Sequence, residues 1–122
     1  EEDLSAAHIR LANVIVEHLP WHDCLKRYDR PGTLFYLDPP YWQTEGYGVD
    51  FPWSEYEQLA SMMRNLQGRA VLSINDHPQI RELFQDMTII PLQIRYTIGR
   101  ERDAAAGELI IKSWDDSQAT LL

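Results

Sequence analysis

The sequence predicts an α/β fold, with helices on both faces of a mostly parallel sheet and a C-terminal antiparallel hairpin. Three observations predict it. Helical patterns alternate with short apolar runs along the chain. Two of these runs, residues 33–37 and 69–75, lack regular polar alternation, which is typical of strands covered on both faces. The last two apolar runs are separated only by a polar loop, which predicts the hairpin.

The first half of the chain contains two predicted helices and two predicted strands. Residues 5–12 have a helical pattern, and the β-branched run 14–16 predicts a short strand. A second helical pattern follows, formed by Trp21, Cys24, Leu25 and Tyr28. The turn sequence DRPG at 29–32 then leads into the apolar strand 33–37.

The next predicted helix is the best defined element of the sequence. Ser54 and Glu57 have the spacing of an N-terminal capping box, and Gly68 stands where a C-terminal cap is expected. Its apolar face is formed by Tyr56, Leu59, Ala60 and Met63. This spacing predicts one amphipathic helix that packs on the sheet.

The remaining elements are a strand, a short helix and the hairpin. The run 69–75 predicts a buried strand, and Pro78 is expected to open a helix. Asn75 and Asp76 end the strand, where they could reach a ligand, but capping of that helix is the preferred expectation. The hairpin consists of the alternating residues Leu92, Ile94, Tyr96 and Ile98, the polar loop 99–107 and the run 108–114.

Composition and charge limit the possible functions. With 122 residues, 44% of them hydrophobic, the chain is expected to be one domain or one contiguous piece of a domain, residues 1–122. Cys24 is the only cysteine, which excludes an intrachain disulfide and favours the reducing cytoplasm. We expect no metal site, because the four histidines lack metal-binding spacing, and no membrane span. The net charge of −8 predicts that any contact with nucleic acid is local or depends on another segment.

The chemistry concentrates in the segment LDPPYW at 37–42. Asp38 is the first residue after a predicted strand, and ligands of open α/β sheets bind beyond the carboxyl ends of the strands. Pro39 and Pro40 stiffen the loop and offer carbonyl oxygens without competing N–H groups. Asp38 and the Pro39 carbonyl can accept hydrogen bonds beside the flat ring of Tyr41, which suits a planar group bearing an NH2. On these residues alone, a proline turn with Tyr41 packed on the core remains the alternative.

With its flanking segments, LDPPYW resembles the catalytic motif of the DNA adenine N6-methyltransferases, the Dam-like and phage-type family that uses S-adenosylmethionine. The segments that carry the resemblance are RYDRPGTLFYLDPPYW, GYGVDF, the helix from Ser54, AVLSIND, IRYTIG and GELIIKSW, in the family's order. The resemblance implies a partial Rossmann-like methyltransferase sheet and methylation of an adenine flipped out of double-stranded DNA. It also implies that Asp38 and the Pro39 carbonyl bind the adenine amino group, Pro40 shapes the loop and Tyr41 stacks on the base.

The same resemblance implies further contacts. Asp38 would lie close to the methyl donor, and Trp21 would stack near its adenine ring, although Pro20 replaces the family's usual acid. Tyr47 is expected near the DNA if its loop closes on the base, with a flexible surface loop as the alternative. Arg95 and Arg100 are expected to contact phosphates, with a solvated loop as the alternative for each arginine.

Several family features are missing from the sequence. They are the Gly-rich cofactor loop, the acid that holds the cofactor ribose and the target-recognition region. The chain is therefore expected to be the C-terminal, catalytic-motif portion of the domain and to need the missing half for activity. Two alternatives stay open. The first is an inactive remnant or auxiliary protein that binds a partner or forms a homo-oligomer through exposed sheet edges. The second is an RNA adenine or cytosine N4 methyltransferase.

Overall fold

The computed structural model describes residues 2–44, 50–94 and 106–116, which form four helices and four strands. In chain order they are α1 (Glu2–Leu11), α2 (Trp21–Tyr28), β1 (Leu34–Leu37), α3 (Trp53–Arg64), β2 (Arg69–Asn75), α4 (Pro78–Leu83), β3 (Thr88–Ile94) and β4 (Ala106–Lys112). The strands form one sheet in the order β1-β2-β4-β3. β1 pairs parallel with β2, and the other two pairs are antiparallel. The predicted α/β class and the closing hairpin are confirmed, whereas the expectation of a mostly parallel sheet is corrected, because two of the three pairs among the described strands are antiparallel.

One face of the sheet carries the hydrophobic core. Alternate residues of a strand share a face, and Ala70, Leu72 and Ile74 of β2 are completely buried. The register places Leu72 opposite Ile111 of β4, which is also completely buried. The helical side chains of the same core cluster are Leu25 from α2, Tyr56, Leu59, Ala60 and Met63 from α3, and Ile80 from α4. Helices α2, α3 and α4 therefore cover this face.

The opposite face remains largely uncovered by the described residues. Leu34 and Tyr36 of β1 are 66% and 67% exposed, and Ile90 and Leu92 of β3 lie on the same side. We call these four residues the open face. Helices on both faces were predicted, but the described helices cover only one. The apolar run 33–37 predicted burial on both sides, which is wrong for β1: Phe35 and Leu37 pack on the core, but no described element covers Leu34 and Tyr36 on the other face.

The predicted strand at 14–16 is absent from the described structure. Val14, Ile15 and Val16 belong to no helix or strand and are between 54% and 91% exposed. A strand needs a neighbour to pair its backbone groups, and among the described strands β1 ends the sheet with one edge unpaired. Strand propensity alone did not produce a strand here, because residues 14–16 do not pair with that edge.

Two predicted caps of α3 are also wrong. The helix begins at Trp53 after Pro52, so Ser54 lies within its first turn, where its side chain makes no capping hydrogen bond. The C-terminal cap is Asn65 rather than Gly68. Gly68 instead permits a close approach between chain segments, because a Cβ there would lie 2.4 Å from the Thr33 carbonyl oxygen.

The hairpin begins at Thr88, before the alternating residues that predicted it, and β3 is described as far as Ile94. Its predicted continuation through Tyr96 and Ile98 lies outside the described residues. Within the described part of the chain, no helix has the length and apolar character that crossing a bilayer requires.

Candidate active site

A pocket of about 360 Å³ opens at the carboxyl end of β1. Trp21 lines the pocket from the start of α2, and Leu59 lines it from α3. Phe51 lines it from the segment that precedes α3. Asp38, Pro39 and Pro40 line the pocket from the loop that follows β1. The fold thus brings Trp21 together with four residues of the LDPPYW segment, Leu37 to Pro40, as expected for a ligand site at this edge of the sheet.

The hydrogen-bond acceptors of the loop fall into two groups. Tyr56, buried in the core, donates its hydroxyl to the Pro40 carbonyl at 2.5 Å, so this carbonyl anchors the loop to α3. Asp38 is exposed, and within the described residues neither its carboxylate nor the Pro39 carbonyl accepts a hydrogen bond. These two acceptors can therefore receive donors from a ligand.

Tyr41 has its hydroxyl tethered to the sheet. The hydroxyl donates to Glu108 Oε1 of β4 at 2.8 Å, and the nearly buried Ser73 of β2 donates to the same oxygen at 2.5 Å. The Tyr41 side chain is half-buried and does not belong to the hydrophobic core cluster. A Tyr41 packed on the core, the alternative drawn from the residues alone, is not what the structure shows.

Asn75 holds the next residue of the loop. Its Oδ1 accepts from the Trp42 backbone N–H at 2.8 Å, and its Nδ2 donates to the Trp42 carbonyl at 2.9 Å. Gln43 then has a φ of 57°, a left-handed conformation that costs a non-glycine residue roughly 1 kcal/mol. The tether across Trp42 therefore holds a strained loop in one path.

The expected capping role of Asn75 and Asp76 is wrong. His77 caps α4, since its Nδ1 accepts from the Gln79 backbone N–H. Asp76 forms a two-pronged ion pair with Arg81, and these hydrogen bonds lower the pKa of Asp76 below its ordinary value. The sequence signal for the real role of Asn75 was its place at the end of a buried strand, at the same edge as Asp38.

An aromatic wall encloses the other side of the pocket. The Trp21 indole donates to Glu55 Oε2 at 2.8 Å, which fixes the ring and uses its only N–H. The Phe51 ring lies 6.5 Å from Trp21 and 4.8 Å from Tyr56, measured between centroids. Among the described residues, those that line the pocket therefore combine flat apolar surfaces with a single carboxylate, Asp38, and include no cationic side chain.

Some predicted contacts cannot be placed. Tyr47, Arg95 and Arg100 lie outside the described residues, so their DNA contacts stay predictions. In the part of the chain that the structure describes, no three His, Cys, Asp or Glu side chains converge in a way that could hold a metal ion.

Comparison with known families places this geometry in context. A family model described as "D12 class N6 adenine-specific DNA methyltransferase" matches residues 1–98. The matched region includes every described residue that lines the pocket and stops before β4. No curated protein gives a significant match to the chain.

Proposed function

Since the chain belongs to the D12 class of N6 adenine-specific DNA methyltransferases, we propose that it binds the target adenine during methylation of double-stranded DNA. The methyl group would come from S-adenosylmethionine, and the target adenine would be flipped out of the duplex. One observation carries the proposal. Asp38 and Pro39 line one pocket, and neither the Asp38 carboxylate nor the Pro39 carbonyl accepts a hydrogen bond within the described chain.

Two acceptors on one amino group explain how the loop would assist the reaction. The lone pair of the adenine amino nitrogen is delocalised into the ring, which makes the nitrogen a weak nucleophile. Hydrogen bonds from this amino group to Asp38 and the Pro39 carbonyl favour a pyramidal nitrogen and orient its lone pair toward the methyl donor. Asp38 also stabilises positive charge that develops on the nitrogen. Tyr41 would support the ring from its side by stacking.

The residues of the pocket fit part of S-adenosylmethionine. Trp21 and Phe51 provide flat apolar surfaces for a purine ring, and aromatic faces beside Asp38 favour a cationic group. When bound, this cofactor supplies an electrophilic methyl group. No cationic residue of the described chain lines the pocket to receive the cofactor's carboxylate. We therefore assign Trp21 and Asp38 a cofactor contact and expect other segments to hold the remainder.

The uncovered part of the sheet supports a need for further polypeptide. Among the described strands, β1 has an unpaired edge next to the pocket, and Leu34 and Tyr36 expose large apolar side chains beside it. Residues 14–16 are equally exposed although their sequence favours a strand. We propose that this chain is the catalytic-motif portion of a cytoplasmic methyltransferase. It would act with segments that supply a Gly-rich cofactor loop and target recognition.

Nucleoside binding to the chain tests the proposed binding of the adenine amino group by Asp38 and the Pro39 carbonyl, and it does not require the cofactor. Deoxyadenosine and purine 2′-deoxyriboside share a ring system but differ in the amino group. We expect deoxyadenosine to bind about tenfold or more tightly in NMR titrations, because a hydrogen bond to a charged group contributes roughly 1.5–3 kcal/mol. Asp38→Ala should remove most of this preference, whereas Asp23→Ala on the exposed surface of α2 should retain it.

Equal affinities of the two purines for the unaltered chain would contradict the assigned roles of Asp38 and Pro39. The same titration with deoxycytidine and deoxyuridine tests a cytosine substrate, and adenosine in place of deoxyadenosine tests a preference for RNA. Activity needs a separate assay. Transfer of a labelled methyl group to unmethylated duplex DNA should appear when the chain is mixed with the cofactor-binding segments of a D12-class enzyme.

The open face favours a second candidate function, a non-catalytic protein that forms a homo-oligomer. Exposed apolar side chains on an edge strand promote association between sheets. Sedimentation velocity would then show concentration-dependent association that Leu34→Lys abolishes. Leu11→Lys on the exposed surface of α1 is the matched control. Monomeric behaviour of the unaltered chain at all concentrations would exclude this candidate.

A further inference from the structure

We propose that Glu108 of β4 is a positioning residue that sets the orientation of the Tyr41 ring for base stacking, an inference that rests on the proposed function. Glu108 Oε1 accepts from the Tyr41 hydroxyl at 2.8 Å and from the Ser73 hydroxyl at 2.5 Å. Glu108 lies ten residues beyond the region matched by the family model, which ends at residue 98. The match therefore covers the loop but not the residue that holds its tyrosine.

The strand around Glu108 is a rigid support. β4 lies between β2 and β3, and the register places Glu108 opposite Asn75 on one side and Leu92 on the other. Ser73 is only 5% exposed and donates to the same carboxylate oxygen that Tyr41 uses. Because hydrogen bonds to a carboxylate are stronger than those between neutral groups, Glu108 is a firm acceptor for both hydroxyls.

Asn75 and Glu108 hold consecutive loop residues in different ways. Asn75 binds both backbone groups of Trp42, which fixes the path of the main chain but not the side-chain torsions of Tyr41. Glu108 binds the far end of the Tyr41 side chain. Because Asn75 fixes the main chain at Trp42 and Glu108 fixes the Tyr41 hydroxyl, the long axis of the Tyr41 ring is held in one direction.

A ring that is already oriented loses less rotational freedom when a base stacks on it. Ordering one side chain on binding costs an amount that corresponds to roughly threefold to tenfold in affinity. The tether should therefore tighten adenine binding through Tyr41, which directly follows the pocket residues Pro39 and Pro40, although neither Tyr41 nor Glu108 is among the described residues that line the pocket. If Glu108 had only a structural role, it would link β2 to the loop without changing the affinity for the base.

A double-mutant cycle with Tyr41→Phe separates these two roles, since phenylalanine keeps the ring but removes the hydroxyl. In the chain with Tyr41, Glu108→Ala should weaken deoxyadenosine binding about threefold to tenfold. In the Tyr41→Phe background, the same substitution should change the affinity less than about twofold. Glu108→Gln retains a side-chain oxygen acceptor and should recover most of the affinity. Glu57→Ala, on the exposed surface of α3, serves as the control.

Equal losses from Glu108→Ala in both backgrounds would overturn the inference, because Glu108 would then act without the Tyr41 hydroxyl. If Glu108→Ala does not fold, the comparison is made with Glu108→Gln and Glu108→Leu. A parallel cycle in urea unfolding tests the tether without any nucleoside. Absence of coupling there overturns the inference even if adenine binds. Coupling in a chain that binds no deoxyadenosine supports the tether and refutes the proposed function.

Discussion

The two faces of the sheet contrast sharply although both are rich in apolar residues. On the core face, Leu72 and Ile111 are completely buried under helices of the same chain. On the open face, Leu34 and Tyr36 keep about two thirds of their surface exposed. Hydrophobic sequence alone therefore does not secure burial, because a covering element must also be present.

The candidate active site lies where these two faces meet. Tyr36 of the open face and Leu37 of the core-facing side are adjacent in β1, and both line the pocket. The loop is held from both sides: Tyr56 of the core binds the Pro40 carbonyl, whereas Asn75 and Glu108, which the register places on the same side as Leu92, bind Trp42 and Tyr41. The proposed adenine contacts therefore depend on both faces, and we expect the methyl donor to require additional cover on the open side.

The largest difference between the faces should appear when a leucine is truncated on each. Leu72→Ala creates a cavity in the core and should lower the free energy of unfolding by about 3 kcal/mol. Leu34→Ala in the neighbouring strand should cost less than about 0.5 kcal/mol, since its side chain is already hydrated. Urea unfolding followed by circular dichroism measures both. A similar cost for the two substitutions would show that the open face is covered in solution.

Two glycines provide the next comparison. Gly68→Ala should destabilise the fold by about 1–3 kcal/mol, because its Cβ would collide with the carbonyl oxygens of Thr33 and Arg30 at 2.4 and 2.7 Å. Both are backbone atoms at the entrance to β1, so they cannot rotate away. Gly32→Ala meets no described atom within 4 Å and should leave the melting temperature nearly unchanged. Comparable melting temperatures for both variants would argue against this tight junction.

Removing the hydrogen bonds between Asn75 and Trp42 should lower stability less than the substitutions at Leu72 and Gly68, but it should clearly weaken nucleoside binding. Asn75→Ala leaves the Trp42 N–H and carbonyl without their partner and should cost about 1–2 kcal/mol. Deoxyadenosine affinity should fall in the same variant, because the strained path at Gln43 is no longer held. Asn13→Ala, at an exposed position after α1, is the control for both measurements. Unaltered nucleoside binding in Asn75→Ala would separate the anchor from the site.

The smallest expected effect concerns an ion pair that joins α3 to the end of α4. Two hydrogen bonds from Arg64 lower the pKa of Asp86 below its ordinary value of 3.8. The stabilisation from this shift is present above the unfolded pKa, near pH 4, and is lost as the pH falls through the lower folded pKa. Both groups are largely solvated, so Arg64→Met should cost only about 0.5 kcal/mol at neutral pH.

Unfolding free energies measured from about pH 6 down to about pH 2 test the sign of this effect. The difference between the unaltered chain and Arg64→Met should shrink as Asp86 becomes protonated. Arg10→Met on the exposed helix α1 is the control and should show no such trend. A difference that grows toward low pH would contradict the assigned pair.

Local sequence patterns predicted the elements whose formation depends on short-range structure. The spacing of Trp21, Leu25 and Tyr28 predicted α2, and the run 69–75 predicted β2. Patterns failed where a distant partner decided the outcome. Residues 14–16 favour a strand but do not pair with the free edge of β1. The capping motif at Ser54 and Glu57 failed for a local reason, because the helix already begins at Trp53, directly after Pro52.

The sequence by itself determined the α/β class and the position of a chemically distinctive loop after β1. Both follow from periodicity and from residue types that lie next to one another in the chain. Only the tertiary structure decided which side chains hold that loop. Asn75 reaches Trp42 across 33 positions and Glu108 reaches Tyr41 across 67, contacts that depend on strand order and register. It also decided that one apolar face is buried and the other open, because burial depends on which elements the fold places above each face.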